Sequence, residues 1–140
     1  MSTIIADNLT GKTAAGNVTV TSEGGAATFQ LQQGLVKAWA KGSFYDTTLD
    51  DSFSMSSVTD NGTGDSTFTV SNAFNNANYA VAMTRGRSAS NYTTSKAGGM
   101  VIADNQTLPT TTAIRARGLD TDAAEFDFDI ACVSFMGDLA

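Results

Sequence analysis

A chain of 140 residues with 41% hydrophobic side chains can close one core, and its formal charge of −6 argues against a phosphate backbone as partner. The single Cys132 excludes an internal disulfide framework, and the absence of histidine removes the commonest general base and transition-metal ligand. No stretch approaches the roughly 20 apolar residues of a membrane span, so no membrane insertion is expected. Met1–Asp7 lacks the basic and long apolar regions of a secretory signal, so synthesis in a cytoplasm is expected. The Asn-x-Thr triplets at Asn8, Asn17, Asn61, Asn91 and Asn105 are therefore read as products of an Asn- and Thr-rich composition.

Residues 1–25 are small and polar, with short apolar alternations at Ile4-Ile5-Ala6 and Asn17-Val18-Thr19-Val20-Thr21. The second predicts a strand with Val18 and Val20 on one face, and Gly24-Gly25 ends it. So few apolar groups cannot bury a core, so residues 1–34 are expected to form an arm for attachment or oligomerisation. Residues 26–41 fit two templates. Leu31, Leu35 and Ala38 suit one helical face, while Val36, Ala38 and Ala40 alternate as in a strand. A short helical turn up to Gly34 and a strand from Leu35 reconcile them.

Period-two alternation dominates from Phe53 onward. Phe53 and Met55 predict one strand, Phe68 and Val70 the next, and Tyr79, Val81 and Met83 another. Met100–Ala103 is a short apolar run, and Ile114 and Ala116 alternate with Arg115 and Arg117. Phe126, Phe128, Ile130 and Cys132 then share one parity, after which Val133 and Phe135 take the other, so a β-bulge or a switch to two-sided burial is expected there. Asp60-Asn61-Gly62-Thr63-Gly64-Asp65 predicts a hairpin loop. Together these predict an all-β chain: an antiparallel β-sandwich or jelly-roll-like knob over residues 35–140, behind a short N-terminal arm. The expected core includes Phe53, Phe68, Val81, Ile114, Phe128 and Ile130.

Residue types with chemical potential are few. Cys132, between Ala131 and Val133, is expected as a buried small hydrophobe rather than a nucleophile. Residues 118–140 hold six acids and no base. Among them, Asp120, Asp122, Glu125, Asp127 and Asp129 could in principle hydrolyse a glycoside or, like Asp60, Asn61 and Asp65, bind Ca²⁺. Alternation with phenylalanine favours a solvated strand face instead. No catalytic, metal or cofactor residue is assigned. Arg85, Arg87 and Lys96, with Tyr92 among them, form a basic stretch in a region without acids between Asp65 and Asp104. These four are the candidate contacts to a host surface glycan or protein, or to the acidic C-terminal strand of a neighbouring subunit.

The segments Leu35–Trp39, Asp51–Asp65 and Asn75–Val81, with the opening Thr3–Lys12 and the closing Phe126–Gly137, resemble a module in tail-fibre-like proteins of marine phages that infect cyanobacteria and pelagic bacteria. The resemblance covers most of the chain and carries structural rather than catalytic motifs. It implies a non-enzymatic virion component, trimeric, with a role in adhesion. Long fibres also carry a tail-attachment domain and a repetitive shaft, which this sequence lacks. The expectation is therefore a small tip or adaptor joined to other virion proteins through residues 1–25. The alternative is a capsid decoration or head-fibre protein clamped by the same arm. A secreted carbohydrate-binding module fits the strands but not the missing signal or the single Trp39, which is expected to pack in the core or at a trimer interface.

Overall fold

The computed structural model describes residues 3–14, 18–46, 48–86, 98–103 and 109–140. The chain divides into two compact units, Met1–Leu35 and Val36–Ala140. In the first, β1 (Thr19–Thr21) pairs antiparallel with β2 (Thr28–Gln30), with Val20 opposite Phe29. Ser22 closes the turn: its N–H donates to Ala27 O at 2.8 Å, and its Oγ accepts from Ala27 N at 3.2 Å. Thr28–Gln30 is thus a strand, where the sequence suggested the approach to a helical turn. After β2 comes a turn in which Gln33, Gly34 and Leu35 N–H groups reach back three residues. With no core to receive Leu31 and Leu35, a helical nucleus gains nothing by extending. None of the described residues of this unit is buried.

The second unit is an antiparallel β-sandwich. Its first sheet runs in the order β4 (Leu49–Phe53), β3 (Ala38–Gly42), β10 (Ile130–Met136), β7 (Ala80–Gly86). The second runs β5 (Met55–Gly62), β6 (Asp65–Val70), β9 (Ala113–Leu119), β8 (Gly99–Ile102). The central strands fill the space between the sheets. Ala38, Ala40, Ala131, Val133 and Phe135 point inward from one, and Phe68, Val70, Ile114 and Ala116 from the other. The small alanines leave room for large rings supplied by the connections. Phe44 meets Phe68 and Phe128 edge-on, with centroids 6.2 and 6.4 Å apart, while Phe74 stacks on Tyr79 at 4.3 Å. Such large-small alternation lets side chains interdigitate at interior packing density.

Several expectations about this core need correction, and Val81, expected within it, packs half-buried against it. Ser54, at φ 56°, ends β4 and starts β5 on the opposite sheet, so Phe53 and Met55 do not share a strand. Phe53 therefore lies outside, 56% exposed, whereas Met55 packs against the core. Residues 126–129 are irregular, and β10 begins only at Ile130, so the parity change falls before the strand rather than at a bulge within it. Phe128 is buried from that irregular segment, Ile130 is only half-buried, and Cys132 lies half-buried on the outward parity beside Lys41 and Thr84. Trp39 likewise alternates with buried Ala38 and Ala40, which turns it away from the core.

Candidate functional site

The basic stretch begins at the end of β7. Along that strand Val81, Met83 and Arg85 are the less exposed residues, so Arg85 continues the inward parity at the rim of the sandwich. Its Nε donates to Gly98 O at 2.7 Å, and its guanidinium lies 4.4 Å from the centroid of the Phe128 ring. An arginine placed so is a lid over an aromatic core residue as much as a surface charge. Gly86 comes next, with the Ile130 side chain 3.2 Å from where a Cβ would stand. Arg87, Tyr92 and Lys96 lie outside the described residues, so Arg85 is the one candidate contact with a described environment.

The acidic segment does not form the solvated strand face that its alternation suggested. Asp120 is 6% exposed, and its Oδ1 accepts the N–H groups of Asp122 (3.0 Å) and Ala124 (2.9 Å), closing a turn with Ala123 at φ 59°. Asp127 Oδ1 accepts Gly64 N–H at 2.6 Å, and Glu125 pairs with Arg117. These carboxylates therefore fold the crossover from β9 towards β10 and fasten it to the β5–β6 hairpin. Gly64 is needed at that join: at φ +66°, an added Cβ would lie 2.4 Å from Phe126 N and 2.8 Å from Gly118 O.

The strongest polar cluster lies on the outer face of the second sheet. Asp65, 6% exposed, receives Arg115 Nε at 2.7 Å and Nη2 at 2.5 Å, and Asn61 Nδ2 at 3.2 Å. Asn61 also donates to Thr67 Oγ1 at 2.9 Å. The Arg115 hydrogen bonds hold the Asp65 carboxyl below its usual range, although burial opposes them. Asp60 Oδ1 accepts Gly62 N–H at 2.8 Å. The oxygens considered for Ca²⁺ thus serve a hairpin and an ion pair, and among the described residues no group of three or more acids, cysteines or histidines is placed to hold a metal ion.

The sequence missed the Asp65–Arg115 pair because 50 residues separate the partners. Its signal was there all the same: Arg115 and Arg117 on the outward parity of β9 needed acids on the neighbouring strand. No protein-family model matches the chain, and neither a curated protein nor a solved structure matches it.

Proposed function

We propose that this chain is a non-enzymatic structural protein of a bacteriophage virion, a tail-fibre-like knob that assembles as a homotrimer and contributes to host adhesion. The observation that carries the reading is the contrast between a closed sandwich and a preceding unit without one buried described residue. Ile4, Ile5 and Leu9 are 86%, 94% and 61% exposed. Apolar side chains gathered in a segment without a core favour a partner surface, and residues 1–25 supply that attachment to other virion proteins. The structural engagement of Asp65, Asp120, Glu125 and Asp127 supports a non-enzymatic role. The resemblance to tail-fibre-like proteins of marine phages supports the virion context. Deleting residues 2–25 should leave the sandwich folded and abolish incorporation into particles; normal incorporation of the truncated chain overturns the reading.

A second reading, capsid decoration or a head fibre held by the same arm, is favoured by Arg85. Its contacts with Gly98 and Phe128 withdraw one of the four candidate contacts from presentation to a host. Stoichiometry separates the two: on the order of hundreds of copies per particle fits the repeating capsid lattice, a handful the tail. Arg87→Ser with Lys96→Ser should weaken adsorption, most at low salt, if the chain is an adhesin. Unchanged adsorption with fragile particles transfers the role to the capsid.

A further inference from the structure

Of the asparagines in the chain only Asn61 is followed by glycine, and Asn61-Gly62 ends β5 at an irregularity where Asp60 pairs with Ser66 and Gly62 with Asp65. Asn61 is thus the extra residue of a bulge, outside the ladder. Both residues are exposed, Gly62 has φ +132°, and a Cβ added there would meet nothing within 4 Å. The Gly62 N–H donates to Asp60 Oδ1 at 2.8 Å. The Asn61 amide is held by its nitrogen: Nδ2 donates to Thr67 Oγ1 at 2.9 Å and to Asp65 Oδ1 at 3.2 Å.

We infer that Asn61 is a modification site, deamidating spontaneously with water as co-reactant, and that its hydrogen bonds to Thr67 and Asp65 set the rate. The carbon of an asparagine amide is electrophilic, and the main-chain nitrogen of the next residue can close a five-membered ring on it. Glycine in that next position leaves the nitrogen unshielded. In the first step Gly62 N bonds to Asn61 Cγ and the Cγ–Nδ2 bond breaks. The proton of Gly62 N passes to Asp60 Oδ1, already its acceptor, and on to Nδ2, which departs as ammonia. Water then opens the succinimide. Cleavage at Cγ gives aspartate; cleavage at the main-chain carbonyl gives isoaspartate, whose backbone is longer by a methylene.

The two acceptors oppose the first step. The amide must swing its carbon towards Gly62 N, which breaks the bonds made by Nδ2. The fold therefore slows a reaction that the Asn-Gly pair invites. The same bonds fix the consequence. Asp65 loses a donor and gains a second carboxylate beside it, and that like charge opposes the ionised form which Arg115 binds. Isoaspartate also lengthens β5 at the bulge that sets its register with β6.

The full chain is incubated folded in mildly alkaline buffer, and peptide mapping with isoaspartate detection follows the exchange of amide for acid. The first conversion should fall at Asn61, and it should run faster in urea than in the folded chain. Thr67→Val should speed it at least about threefold in the folded chain, the rate equivalent of one lost hydrogen bond. Thr67→Ser keeps the hydroxyl and should stay at the unaltered rate, which separates the lost bond from a loosened strand. Asp60→Ala should slow the conversion. The converted chain, isolated by its extra negative charge, should unfold at lower urea than the unaltered one. A first conversion at another asparagine, a Thr67→Val rate equal to the unaltered one, or an Asp60→Ala rate no slower overturns the inference. So do equal accelerations by Thr67→Val and Thr67→Ser, and a converted chain as stable as the unaltered one.

Discussion

The two sheets share one core but turn very different faces outward. On the second sheet Asp65, Asn61, Thr67 and Arg115 are tied to one another across three strands, so that face binds much of its polar surface to itself. On the first sheet Trp39 and Phe53 stand opposite each other on neighbouring strands, turned away from the core. Inward residues are alike because any sandwich must fill its middle; outward residues differ because each face meets different surroundings. One sheet turns outward a hydrogen-bonded ion pair, the other two large rings.

Removing what both faces rest on should have the largest effect. Phe128 is fully buried and contacts Phe44, Phe126 and Arg85, so Phe128→Ala should cost about 3–5 kcal/mol in urea unfolding. Gly64→Ala should come next at about 3 kcal/mol, because it combines a left-handed backbone with a clash against Phe126 and Gly118. A loss under about 1 kcal/mol would mean that the hairpin is not fastened to the crossover as described.

Asp65→Asn tests the polar face and should cost about 2 kcal/mol at neutral pH. The sign with pH is fixed by the lowered carboxyl. Above the unfolded value of about 4 the ion pair contributes in full; as pH falls through the lower folded value, Asp65 takes up its proton and the contribution disappears. The stability gap between the two proteins should therefore close in acid, and a gap that stays constant to about pH 2 would refute the pairing. The smallest effect belongs to the aromatic face. Phe53→Ser should change the stability of the isolated subunit by no more than about 0.5 kcal/mol, and a larger loss would place Phe53 in the core after all.

Much of the sandwich was legible because its inward residues obey period two, Phe68 with Val70 and Ile114 with Ala116; the hairpin between β5 and β6 was also legible, although its turn is Thr63-Gly64 and Asn61-Gly62 ends β5. The failures share a physical cause, a change of direction that apolar pattern does not record. Ser54 sends the chain from one sheet to the other between Phe53 and Met55. The turn around Asp120 looks like alternating strand when only Phe126, Phe128 and Ile130 are counted. Arg85 was read for its charge, although its parity with Val81 and Met83 already placed it towards the interior. Of the candidate contacts, Arg87, Tyr92 and Lys96 lie outside the described residues, so for them the sequence remains the source.

Strand β10 is last in the chain order yet sits between β3 and β7, pairing with both. During synthesis, β3 and β7 therefore leave the ribosome with no strand between them, and the first sheet cannot close until residues 130–136 have emerged. Nascent chains would hold the facing borders of β3 and β7 unpaired until then, a state prone to capture by a neighbouring chain. Acids and bases balance in residues 1–117, so the chain acquires its net negative charge only with the segment from Asp120 to Asp129 that leads β10 out, and the wait itself passes without charge repulsion to keep neighbours apart.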